Sequence, residues 1–109
     1  MGKENTIFPS LLSFYGEAVT IGDNSYQAIV TLFNEQAQKE HNAEYDNPFS
    51  QNLSTLTAET YRVEISQENF LNNNLENSNE TVIIRNENMK ILGTMKTDVE
   101  TYYLFCIGE

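Results

Sequence analysis

Tryptophan is absent, cysteine and histidine occur once each, proline twice, and Lys and Arg together number six in 109 residues. Each shortage removes a class of function. A single thiol, Cys106, cannot build a disulfide framework within the chain, which suits a reducing compartment. A single imidazole, His41, has no second His or Cys close by. Zinc sites need three or four such ligands at characteristic spacing, so His41 reads as a solvent-exposed loop residue. Cys106 lies in an apolar stretch and is expected to be buried as a small hydrophobe, out of reach of that histidine, so no nucleophile–base pair is expected. The five glycines, at 2, 16, 22, 93 and 108, form no phosphate-cradling cluster. No apolar run approaches membrane-spanning length. The first residues lack the apolar h-region of a signal peptide. The chain is therefore expected to stay in the compartment where it is made.

What is present is acidic and globular. Sixteen acids against six bases give a net charge of −10 and a pI near 4.3. Nucleic-acid binders neutralise phosphates with Lys and Arg, so this balance argues against one. It leaves plain solubility, a basic partner, or a surface that repels DNA. Carboxylate pairs such as Glu64 with Glu68, or Glu80 with Glu87, could be set beside those of a glycoside hydrolase. Nothing around them suggests a sugar cleft, and they read as a solvated face. The glycosylation sequons at Asn52 and Asn79 read as accidents of an Asn-rich composition. At 39 % hydrophobic residues the length suits one domain with its own core.

Residues 79–109 carry the clearest pattern: three short strands joined by two tight turns. In the last strand, residues 101–107, Tyr103, Phe105 and Ile107 alternate with Tyr102, Leu104 and Cys106. Strand side chains alternate between faces, so this strand must be covered on both. Either it lies in a closed barrel or its outer face meets another subunit. Tyr102, Tyr103, Leu104 and Phe105 are thus expected in the core or at a subunit interface.

Further strands are expected at residues 17–21 and 26–33, joined as a hairpin through residues 22–25. Residues 58–66 form the cleanest alternation, with Tyr61, Val63 and Ile65 on one face and Thr60, Arg62 and Glu64 on a wet one. Ser66 can cap a short helical turn carrying Phe70 and Leu71. Strands at 80–85 and 89–97 follow, with turns at 86–88 and 98–100. Residues 1–16 are expected to be a flexible arm or a short helix, loose over 1–8. Residues 17–109 then form a single domain, mainly β: a small antiparallel barrel or sandwich of about six strands with one or two short helical turns. A polar, acidic segment at 34–56 interrupts the strand pattern. Loops this long in a compact domain are often functional. Glu40, Glu44, Tyr45, Asp46 and Phe49 are its expected partner contacts, with the two aromatics as apolar anchors; a surface insertion is the alternative.

This order of elements resembles the lambda-type head–tail joining proteins of tailed bacteriophages, the head-completion or connector-stopper family. The stretches carrying the resemblance are residues 18–21 with 26–34, residues 61–66, residues 80–84 with 89–93, and residues 103–108. The chain departs from the family pattern in two places. Ser78, Asn79 and Glu80 replace a Gly-Asp turn, and residues 85–88 replace a Gly-containing hairpin. The resemblance implies a non-enzymatic virion protein without cofactor or metal, made in the bacterial host cytoplasm and assembled into a ring, commonly a hexamer, in the phage neck. Its partners would be its own copies, the portal and adaptor on the head side and the tail terminator on the tail side. Genomic DNA would pass through without being specifically bound, and a negative wall would let it slide. Two other readings stay open: an acidic inhibitor that mimics DNA, and a related tail-terminator-type morphogenetic protein.

Overall fold

In the computed structural model, which describes residues 2–33, 60–77 and 79–108, a helix α1 (Gly2–Tyr15) precedes six strands. These are β1 (Glu17–Ile21), β2 (Asn24–Leu32), β3 (Thr60–Ser66), β4 (Val82–Ile84), β5 (Glu87–Lys96) and β6 (Thr101–Gly108). A helix α2 (Gln67–Asn72) and a 3₁₀ turn (Leu75–Asn77) lie between β3 and β4. The segment 34–56 and its expected contacts Glu40, Glu44, Tyr45, Asp46 and Phe49 lie outside the described residues, as does His41.

The strands close into a barrel in the order β1-β2-β3-β6-β5-β4, every pairing antiparallel. Of the two expected architectures, barrel and sandwich, the chain forms the barrel. Closure follows from the residue alternation. Val19 and Ile21 of β1, Tyr26 and Ala28 of β2, and Val63 and Ile65 of β3 point inward and are buried. So do Val82 and Ile84 of β4, Met89 of β5, and Leu104 and Cys106 of β6. Burying each large aliphatic side chain contributes about 1.5–3 kcal/mol, and a closed barrel also leaves no unpaired edge.

β3 and β4 stand opposite each other in this ring of strands, so the chain must cross one end of the barrel to join them. It does so through α2 and the 3₁₀ turn. Ser66 caps α2, its Oγ accepting from the Asn69 N–H at 3.2 Å. Phe70 and Leu75 then reach into the barrel core. The ring of Phe70 stacks on Tyr102, centroids 3.8 Å apart and planes 4° from parallel.

Several details correct the sequence reading. Residues 1–8 were expected to be loose, yet α1 begins at Gly2 and runs through Pro9. A proline inside a helix removes one backbone hydrogen bond; the buried Phe8 beside Pro9 supplies a packing contact. Gly16 ends the helix, its N–H donating to Leu12 O at 2.9 Å, and a Cβ there would sit 2.5 Å from that oxygen. The β1–β2 loop is two residues, Gly22 and Asp23, with Ile21 paired to Asn24. The β4–β5 turn is Arg85–Asn86, not residues 86–88: Ile84 pairs with Glu87, and φ is 53° at Arg85 and 69° at Asn86. Positive φ at both central residues marks the hairpin turn whose twist matches the strands. Finally, the outer face of β3 is drier than expected. Thr60 is buried and Arg62 is half-buried, its guanidinium 4.4 Å from the Tyr103 ring centroid and 6.0 Å from that of Phe33.

Candidate functional site

The barrel interior is a packed core, so the chemistry this molecule offers lies on its ends and outer wall. The end crossed by α2 is the more polar. Thr101 Oγ1 donates to Glu64 Oε2 at 2.7 Å, and the Thr97 and Thr101 hydroxyls lie 2.7 Å apart. The one Thr97 hydroxyl proton has two acceptors within reach, the Thr101 carbonyl oxygen at 3.1 Å and Thr101 Oγ1, whose own proton goes to the carboxylate. Thr97 Oγ1 also accepts from the N–H groups of Val99 and Thr101, at 3.2 and 3.3 Å. The network fixes the β5–β6 turn, where Glu100 takes the left-handed φ of 63°. Between this turn, α2 and the first half of α1 runs a groove of about 430 Å³ lined by Phe8, Pro9, Gln67, Leu71 and Val99 among others. Gln67 Oε1 is buried there without a hydrogen-bond partner among the described residues.

At the opposite end Arg85 forms a two-pronged ion pair with Glu17, Nε to Oε1 at 2.9 Å and Nη2 to Oε2 at 2.8 Å. Its guanidinium lies 5.4 Å from the Tyr61 ring centroid. Hydrogen bonding to Glu17 raises the Arg85 pKa further above its ordinary value. The pair ties β1 to β4, the seam that closes the barrel, and it gives a side-chain reason for an arginine at positive φ.

The expected β6 residues divide between the two faces of the wall. Tyr102 and Leu104 face the core, and Tyr103 and Phe105 face outward. Phe105 packs with Phe33, ring centroids 5.3 Å apart, with Met95 and Tyr103 beside them. Leu104 and Phe105 are fully buried within the single chain, and Tyr102 and Tyr103 are partly so. Cys106 is also buried, and burial pushes its thiol pKa up to about 12. Among the described residues no group of three or more His, Cys, Asp or Glu could hold a metal ion.

What the sequence reading missed is the exposed apolar surface. Phe14 is 81 % and Tyr15 68 % exposed at the end of α1, with Leu11 one turn before them. α1 packs on β2. On the outer wall of β4 and β5, Ile83 and Leu92 are each 39 % exposed. Leu92 stands out because the ladder skips it: Ile91 pairs with Cys106 and Gly93 with Phe105. A bulge of this kind re-aims a side chain. The exposed apolar residues therefore fall in separate patches, one at the end of α1 and one on β4 and β5. The fold and surface define a closed antiparallel β-barrel, filled by its own side chains and carrying separate exposed apolar patches. No family model, no curated protein and no solved structure matches this chain.

Proposed function

We propose that this chain is a structural virion protein of a tailed-bacteriophage neck, assembled as a ring that closes the DNA-filled head and gives the tail its docking surface. The observation that carries the reading is the exposure of apolar residues in two separate patches, Phe14 and Tyr15 at the end of α1 and Ile83 and Leu92 on β4 and β5. A closed ring of identical subunits uses head-to-tail contacts, which require two unlike, complementary patches on each copy. The resemblance to head–tail joining proteins supplies the setting: portal and adaptor on one rim, tail terminator on the other. The net charge of −10 supports it, because a channel wall of that sign does not retain the phosphates passing through. An assembly subunit needs a stiff scaffold, and a barrel whose largest inward side chains are fully buried provides one.

The test is genetic and visual. Particles grown from the encoding phage genome without this gene should be filled heads lacking tails, or heads that leak DNA, in negative stain. Purified protein added to those heads should restore joining. Normal tailed particles at normal yield from the deletion would end the reading.

A further inference from the structure

A pocket of about 220 Å³ lies where the β1–β2 turn meets the 3₁₀ turn and the residues before β4. Its walls are of two kinds. Ile21, Tyr26 and Leu75 belong to the barrel core. Asp23 and Glu80 are exposed carboxylates. The backbone brings these two acids together: the Gly22 N–H donates to Thr81 O at 3.2 Å, which ties the turn to the residue after Glu80. Gly22 has a φ of 62°, and a Cβ there would lie 3.0 Å from Glu80 Oε2. Glycine therefore meets the backbone demand of the turn and lets the carboxylate lie against it. Tyr26 forms another wall. It is 7 % exposed, and its hydroxyl is buried without a hydrogen-bond partner among the described residues. A buried hydroxyl left unmet is costly, so its place at this pocket calls for an explanation.

We propose that this pocket binds a primary ammonium group on a short aliphatic stem, either a free amine or the tip of a lysine side chain. The site goes beyond the neck reading and does not depend on it. Among the described residues no Lys, Arg or His lines the pocket, so an anion would meet two carboxylates and no opposite charge. A calcium ion takes about six to eight oxygens, and among the described residues no group of three or more His, Cys, Asp or Glu could hold a metal. The apolar walls would also give a bare ion nothing. An alkylammonium group uses both kinds of wall. It carries three N–H donors, which match three acceptors: the two carboxylates and Tyr26 Oη. Its methylenes lie on Ile21 and Leu75, as lysine stems lie on apolar surface elsewhere. The volume is below the roughly 300–1,000 Å³ of drug-sized sites, which restricts the ligand to a few carbon atoms.

The test titrates two amines into the full chain at fixed ionic strength, followed by amide NMR. One is n-butylammonium, a lysine side chain without its backbone; the other is Nα-acetyl-lysine methylamide. The controls are n-butanol, which has no charge, and tetramethylammonium, which has charge but no N–H donor. The Gly22 and Asp23 amide signals should shift saturably with n-butylammonium and with neither control. The same response to the lysine derivative assigns the site to lysine tips as well; a response to n-butylammonium alone assigns it to free amines. Asp23→Asn and Glu80→Gln should each weaken binding by up to about 5-fold, and Glu76→Gln, outside the pocket, should leave it unchanged. Tyr26→Phe keeps the ring in the core and removes one acceptor, so binding should weaken about 2–10-fold. That variant also gives a readout without ligand. It should melt no lower than the parent, because the group it loses has no partner; a clearly lower melting temperature would show that the hydroxyl is already bonded and overturn the site. So would the absence of saturable shifts with either amine, an equal response to tetramethylammonium, or tighter saturation of the same signals by calcium.

Discussion

Truncating Phe70 to alanine should cost this fold more than any other single change in its connecting segments. The side chain is 1 % exposed and stacks 3.8 Å above Tyr102, so alanine removes both the ring and its partner's covering. Phe→Ala in a core costs about 3–5 kcal/mol, a large part of the roughly 5–15 kcal/mol that holds a domain together. With 109 residues at about 2.1 cal/mol/K each, the unfolding entropy is near 0.23 kcal/mol/K, and the melting temperature should fall by about 13–22 °C. The neighbour Leu71 is 56 % exposed and provides the control; Leu71→Ala should shift stability by no more than about 0.5 kcal/mol. Urea titration followed by tyrosine fluorescence measures both. The midpoint should drop for Phe70→Ala with the slope unchanged, because the same surface is exposed on unfolding. If Phe70→Ala unfolds no earlier than Leu71→Ala, α2 does not plug the barrel and the account of how β3 connects to β4 is wrong.

Further expectations follow from the polar ends and the buried thiol. Thr97→Val should destabilise by about 1–3 kcal/mol, because it leaves the buried Thr101 N–H and the partly buried Val99 N–H without their acceptor; Thr97→Ser should recover most of that, with hydrogen exchange at Thr101 as the local readout. Arg85→Ala should cost more than Arg85→Gly, since both lose the ion pair with Glu17 but only glycine relieves the positive φ of 53°; equal losses in denaturant melts would deny strain at this turn. The Cys106 thiol ionises near its ordinary value of 9.0 when unfolded and only at about 12 when folded. The folded state therefore holds its proton longer, and the stability present below pH 9 should decline by up to about 1.4 kcal/mol per pH unit as pH rises toward 12. Cys106→Ala should lack that alkaline slope; an identical slope in the variant would place its origin elsewhere.

The antiparallel β fold was legible in the sequence because a period of two is written twice in its strands. Tyr61, Val63 and Ile65 mark one inward face and Leu104 with Cys106 mark another, a pattern that barrel and sandwich both satisfy; the pairing of β1 with β4 decides for the barrel. β6 announced its burial through apolar residues at every position, and the outer set did find cover, in Phe33 and Met95. α1 was not legible beyond its last turns because Pro9 breaks the local rule for helix interiors, and its packing on β2 is a tertiary fact. The turn at Arg85–Asn86 was misplaced because arginine is a poor sequence signal for positive φ; its ion pair lies 68 residues away, at Glu17. The exposed anchors at Phe14 and Tyr15 could have been found from their place beside Gly16, since aromatics at a helix end need a partner. Leu92 had one signal, the glycine that follows it: an isolated Gly inside a strand pattern points to a bulge, and the register shift falls between Ile91 and Gly93.

The part that bulge plays in the barrel can be tested in one experiment. Removing Leu92 from the chain joins Ile91 to Gly93, and their partners Cys106 and Phe105 are already adjacent. The ladder on either side keeps its register, so Met89 stays in the core and Met95 stays beside Phe105 and Tyr103. A deletion anywhere in a bulge-free strand does the opposite. Removing Glu64 from β3, for instance, turns one half of its inward residues out to water. The Leu92 deletion should therefore fold with a cooperative melt and a stability change within about 1–2 kcal/mol, the cost of a flattened local twist. Loss of folding would show that the bulge is needed for closure of the barrel.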